Sequence, residues 1–305
     1  MRTRGGTAAD GTPLVERVPP VAYFVVSAVF HYLGPAFAVL LFAAVAPLGV
    51  AWLRIVSAAI VFAGWRRPWR IVAALSWLQR RLLLGLGLTL AGMNAMFYLA
   101  LDRLPLATVG AIEFVGPLAL AVVGLRGGRN LAALGLAVGG VALLTDARLA
   151  GDALGFVFAF ANCALFVAYI VLGSRIAADG ATMAVDRLGA SMLVAALAVM
   201  PVGFADAAVS FTRPGLLLAG IGVGICSSVI PYVTDQLALT RLPRATFALL
   251  LSLLPAVATG IGILVLAQIP RPAEIAGIGL VVAGIAVHRE NQPTPAEAVG
   301  SLPSE

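Results

Sequence analysis

Long apolar runs alternate with short polar breaks from one end of the chain to the other. Ten runs fall near residues 20–42, 47–65, 82–101, 104–124, 130–145, 153–173, 182–204, 214–237, 243–267 and 272–288. A helix needs roughly 20 apolar residues to cross a bilayer core, so the pattern predicts an all-α polytopic membrane protein with ten transmembrane helices. Between the first two runs, Ala43 to Pro47 leaves room for only a short turn. Gly and Ala are frequent inside the runs, which suits close helix–helix contact.

Polar residues inside these runs are the candidates for chemistry. Glu113 stands near the middle of PLATVGAIEFVGPLALAVVG, residues 105–124. A carboxylate at that depth costs about 2.5–3.5 kcal/mol to insert and normally faces a partner or a watery cavity. Pro117, four residues on, removes the donor that would bond the Glu113 carbonyl and bends the helix. A structural ion pair or an interhelical hydrogen bond is the alternative role for Glu113. Arg54 lies in the second run and needs an anion; Glu113 and a substrate carboxylate are the two candidates. Asn94 and Tyr98 are four apart and share a helix face, and Tyr232 and Gln236 repeat that spacing with Asp235 one step aside. Either pair can hold the charged ends of a small substrate or serve as glue between helices. His31 and Tyr32 precede Gly34-Pro35, where a break in the first helix is expected, and a His there can titrate in the physiological range. Asn162 and Tyr169 in the sixth run are further candidates.

The chain also repeats itself. LALDRLPLATVGAIEFVGPLA at 99–119 resembles LALTRLPRATFALLLSLLPAV at 237–257, with Arg103/Arg241, Pro105/Pro243, Thr108/Thr246 and Pro117/Pro255 in register. The repeat carries run four onto run nine, a shift of five helices. An odd shift gives the two halves opposite topology, and inverted repeats place a substrate site between the halves at mid-membrane. The expected layout is a polar tail at 1–19, a first five-helix repeat at 20–145, a linker at 146–152, a second repeat at 153–288 and a disordered tail at 289–305. Asn94 then maps onto Tyr232 and Tyr98 onto Gln236.

Charge sharpens the topology. The formal charge is +6 and every basic residue is Arg. Arg66, Arg67, Arg70, Arg80, Arg81, Arg126, Arg129, Arg175, Arg187, Arg241, Arg244 and the arginines of both tails fall on one side of a ten-span chain. Arg103, Arg148, Arg213 and Arg271 fall on the other. The positive-inside rule puts both termini in the cytoplasm. The arginines sit in short inter-helix loops, so topology accounts for them without nucleic acid as a partner. Cys163 and Cys226 have no CxxC spacing, and His31 and His288 form no zinc motif, so no metal or cofactor is expected. No nucleophile–base motif points to an enzyme.

Together the runs GMNAMFYLALDRLP (92–105), AIEFVGPLA (111–119), RRPWR (66–70) and PYVTDQLALTRLPRATFALLLSLLPA (231–256) resemble the EamA type of the drug/metabolite transporter superfamily, and within it the threonine/homoserine exporter group. The resemblance implies two inverted five-helix EamA repeats around a central cavity in a bacterial inner membrane, and efflux of small amino acids or related metabolites. The group tends to carry a second Glu just before the proline of run nine, where this chain has Leu254. The apolar-Gly-Glu ending common after that helix here reads Leu266-Ala267-Gln268. The expectation is alternating access, with Glu113 exchanging protons against cargo. Glu113, Asn94, Tyr98, Tyr232, Asp235, Gln236, Arg54, His31 and Tyr32 are the expected substrate-binding set. A broader exporter, an importer of the same fold and a non-transporting receptor or assembly subunit are the alternatives.

Overall fold

The computed structural model describes residues 19–72, 75–124, 128–146, 152–176, 181–239 and 254–287, without the side chains of 20, 121–124, 145–146, 181–184 and 235–239. All regular structure among them is helical. The elements are α1 (Pro20–Leu41), α2 (Pro47–Arg66), a short α3 (Trp69–Val72), α4 (Trp77–Leu101), α5 (Leu106–Gly124), α6 (Gly128–Asp146), α7 (Ala153–Ile176) and α8 (Ala181–Phe211). After these come α9 (Pro214–Gly224), a π-helical turn (Ile225–Val229), α10 (Ile230–Leu239), α11 (Leu254–Leu266) and α12 (Pro272–Val287). Six helical stretches are long and apolar enough to cross a membrane: Val21–Leu41, Pro47–Arg66, Trp77–Leu101, Ala153–Ile176, Val185–Phe211 and Pro214–Thr234. Shorter apolar helices lie at Leu106–Leu120, Gly128–Leu144, Leu254–Leu266 and Pro272–Val287.

Local chemistry explains the boundaries. α2 starts on Pro47, whose missing N–H costs nothing at a first helical turn, and ends at Arg67 in the left-handed region with φ 48°. α4 begins at Trp77, ahead of the apolar run, because Ser76 and Gln79 form a reciprocal capping box. α11 ends on Ala267 with φ 52°. The Gln268 N–H then returns to the Gly262 carbonyl at 3.0 Å. Ala267 thus stands where the related pattern has Gly, and the left-handed backbone is the reason for that Gly.

Two expectations about helix continuity need correction. α1 runs unbroken through Gly34 and Pro35. A proline within a helix removes one hydrogen bond, and packing against neighbouring helices is enough to hold the remaining turns together. Conversely, run eight is not one regular helix: the π turn shifts its register between α9 and α10. Residues 240–253, the first part of run nine, lie outside the described residues.

Helix pairing follows a regular scheme. α6 packs along α12, α2 along α8, and α5 against α11. α4 packs on α7 as α10 packs on α1; α4 on α8 as α9 on α2; and α5 on α7 as α11 on α1. Counting α9, the π turn and α10 as run eight, a shift of five runs carries each of these pairs onto itself or onto its match. The α6–α12 crossing is closed by two glycines. A Cβ on Gly140 would sit 2.5 Å from the Gly277 carbonyl oxygen, and one on Gly277 would sit 2.8 Å from that of Gly140. Small residues let backbones meet this closely where dispersion, rather than the hydrophobic effect, holds helices together.

Candidate functional site

α1, α2, α4, α5, α7, α10 and α11 surround a central cavity of about 120 Å³. Its polar lining consists of Ser27, His31, Arg54, Asn94, Glu113, Asn162, Tyr169 and Tyr232. Phe24, Phe97, Phe114 and Phe166 supply much of the apolar wall. This mixture of apolar wall and a few convergent polar groups is the usual build of a small-molecule site.

Glu113 is 5% exposed. Its Oε1 accepts a hydrogen bond from Asn162 Nδ2 at 3.1 Å, across the α5–α7 contact. Its Oε2 and the Asn162 Oδ1 have no hydrogen-bond partner among the described residues. Pro117 lies four residues along the same helix, which stays continuous to Gly124.

Arg54 does not pair with Glu113, one of its two expected partners. Its Nε donates to Ser228 Oγ at 3.0 Å, its Nη2 to the Ser227 carbonyl at 3.0 Å, and its Nη1 to Tyr98 Oη at 3.5 Å. The guanidinium carbon lies 5.5 Å from the Tyr98 ring centroid. Among the described residues it forms no ion pair with Glu113 or any other carboxylate. The acceptors come from the π turn. Pro231 has no N–H to offer the Ser227 carbonyl four residues earlier, so that carbonyl is open to a side chain. Ser227 and Ser228 were missed in the sequence, although the spacing to Pro231 is the same signal that singled out Glu113 and Pro117.

The predicted residues separate into groups. Glu113, Asn94, Tyr232, Arg54 and His31 line the cavity together. The mapped pair Asn94 and Tyr232 therefore meets there; Asn94 also donates to the Leu90 carbonyl at 2.8 Å. Tyr98 is fully buried and reaches Arg54 rather than the lining. Tyr32 is fully buried, packs edge-on to His31 at 5.2 Å, and its hydroxyl has no partner among the described residues. The side chains of Asp235 and Gln236, on α10, lie outside the described residues. Leu254, in the place of the absent second Glu, lines the same cavity. Gln268, in the place of the other Glu, accepts the Leu106 N–H at 3.0 Å and caps the start of α5.

A membrane-embedded helical bundle with a charged, partly unsatisfied central cavity is the architecture of a transporter. Comparisons with known proteins give the family. Residues 153–288 match the EamA-like transporter family. Across 256 residues the chain is 33% identical to the threonine/homoserine exporter RhtA of Escherichia coli (strain K12), covering 82% of this chain and 84% of that protein. It is 32% identical over 269 residues to threonine/homoserine exporter RhtA of Salmonella typhimurium (strain SL1344), covering 85% and 89%. A protein of known crystal structure shares the fold with a TM-score of 0.55, at 20% identity over 88% of this chain and 97% of that one. The chain belongs to the EamA-like transporter family: it is a multi-pass bacterial inner-membrane protein and a transporter, not an enzyme.

Proposed function

We propose that this protein exports small amino acids of the threonine and homoserine kind, or closely related metabolites, by alternating access. One observation carries the reading. The cavity is lined by Arg54, a cation without a carboxylate partner among the described residues, and by Glu113, a carboxylate with one oxygen unpartnered among them. A zwitterion complements both: its carboxylate faces Arg54 and its ammonium faces Glu113. Asn94, Tyr232 and His31 add neutral polar contacts, and the phenylalanines restrict the side chain to a small one. The named relatives are threonine/homoserine exporters, which points the same way.

The reading includes the ten runs as two inverted repeats, 20–145 and 153–288, with 146–152 as linker and both termini cytoplasmic. Support comes from the repeated text at 99–119 and 237–257, the arginine distribution, and helix pairs that match under a shift of five runs. Protons drive the cycle in this scheme. Glu113 takes a proton from outside and gives it up inside, where a substrate ammonium replaces it. Tyr98 acts through Arg54 by holding its guanidinium in place.

The test is counterflow in proteoliposomes with a panel of amino acids, threonine and homoserine first, with and without an imposed pH gradient. The expected outcome is threonine movement accelerated by the gradient and accompanied by opposite proton flux. Glu113→Gln is expected to remove the gradient dependence. Unchanged gradient dependence in that variant would remove Glu113 from the proton path, and a panel with no zwitterion transported would remove the cargo assignment.

A further inference from the structure

A second cavity, of about 350 Å³, lies further along α5. Four helices bound both cavities, each in sequence order; α4 gives Met93, Asn94 and Phe97 to the central cavity and Leu101 to the second. α1 gives His31 and Pro35 to the central cavity and Val39 to the second. α5 gives Glu113 and Phe114 to the central cavity and Ala107 and Thr108 to the second. α11 gives Leu254 to the central cavity and Thr259 and Gly262 to the second. The two spaces are therefore stacked along the same four helices.

What separates them is a thin layer. Ala36, Gly110, Ile112 and Ala258 lie between the two sets of lining residues along α1, α5 and α11, and Tyr32, next to His31 in the chain, reaches the level of Gly110 with its ring; all are buried. The Tyr32 ring is its largest member. A Cβ on Gly110 would lie 3.1 Å from Tyr32 Oη and 3.2 Å from Tyr32 Cε1 and from the Ala258 Cβ. Tyr32 of α1 thus closes against Gly110 of α5, which also packs on Ala258 of α11. Small residues on two faces leave a single aromatic side chain as the bulk of the barrier. The Tyr32 hydroxyl is buried without a partner among the described residues. Such an atom disfavours the conformation that holds it unless it is satisfied in another. Rotation about the Tyr32 side chain would open the layer and bring the hydroxyl to polar groups or water in either cavity.

We propose that the second cavity is the outer station of the transport path and that the Tyr32 ring is the barrier between it and the central cavity. The cargo's identity rests on the zwitterion-export reading above; the path itself does not. Thr108 and Thr259 offer the cargo neutral polar contacts in the second cavity, with Gln268 and Glu274 at its end.

The experiment is thiol labelling with a membrane-impermeant reagent in vesicles of both orientations, with Cys163 and Cys226 replaced by alanine. Thr259→Cys reports the second cavity and Phe166→Cys the central one. From the membrane face on which Arg103 lies, Thr259→Cys is expected to react quickly and Phe166→Cys at least about tenfold more slowly. Adding Tyr32→Ala is expected to raise the Phe166→Cys rate by about tenfold and leave that of Thr259→Cys unchanged. Tyr32→Phe, which keeps the ring, is expected to leave both rates as they were. If Tyr32→Ala does not reach the membrane folded, Tyr32→Leu carries the same expectation. Equal rates for both cysteines with Tyr32 in place would overturn the proposal, as would a Phe166→Cys rate indifferent to both truncations. Threonine transport by the protein in which only Cys163 and Cys226 are replaced reads the cargo assignment separately: Tyr32-gated labelling without threonine transport by that protein removes the cargo and leaves the path.

Discussion

α5 and α11 pack against each other, border the same two cavities, and carry the matching prolines Pro117 and Pro255. Their chemistry nevertheless differs. α5 brings a carboxylate to the central cavity, while the described part of α11 brings Leu254. A similar contrast separates α4, a continuous helix, from its counterpart run, where a π turn opens the Ser227 carbonyl to Arg54. Packing repeats across the two halves; polar function does not. A scaffold held by small residues and dispersion tolerates symmetric duplication, whereas the zwitterion we propose as cargo is itself asymmetric and needs a cation on one side and an anion on the other.

The sharpest way to break this contrast is to truncate both helices at the cavity. Glu113→Ala is expected to lower gradient-driven threonine export by about a hundredfold or more, and Leu254→Ala by about threefold or less with the gradient dependence intact. Initial rates in proteoliposomes decide it, and equal losses would erase the distinction between α5 and α11. Next in size is the cation. Arg54→Ala removes three donated hydrogen bonds and is expected to cost about 2–4 kcal/mol, read by thermal unfolding in detergent. Arg54→Lys is expected to recover part of that stability and still to raise the KM for threonine above that of the unsubstituted protein, because an ammonium cannot reproduce the planar fork. Ser228→Ala tests the π turn alone. Losing one interhelical hydrogen bond is expected to cost about 0.6 kcal/mol, up to about 1.7. The smallest effect has the opposite sign. Ala267→Gly at the left-handed end of α11 is expected to stabilise the protein by about 1 kcal/mol, because the Cβ there is sterically opposed.

The legible and illegible parts of the site divide along physical lines. Glu113 and Arg54 were visible because a charge inside an apolar run is costly enough to stand out on its own. Asn94 and Tyr232 were visible because the repeat placed them in register. Asn162, ranked low, turned out to be the residue that holds Glu113, since an uncharged amide in an apolar run carries little signal until its neighbour is known. Ser227 and Ser228 were missed as site residues: serine is common in helix interfaces, and the one signal, Pro231 four residues after Ser227, says that a carbonyl is free but not which side chain reaches it. Tyr32 was read as a contact for substrate; its full burial and its contact with Gly110 are set by packing that the sequence does not show. The expected break at Gly34-Pro35 did not occur, because a proline alone does not end a helix that neighbours support on several sides.

The sequence by itself determined the membrane setting, the approximate spans, the family and the charged residues of the cavity. Those follow from local quantities: run length, hydropathy, repeat register and the cost of an isolated charge. Tertiary structure alone decided who faces whom. Among the described residues, Arg54 found neutral acceptors on the π turn, Glu113 kept one oxygen without a partner, and Tyr32 came to rest against Gly110. Such pairings depend on helix register and rotation in three dimensions, which many nearly equivalent apolar faces leave undetermined until they pack.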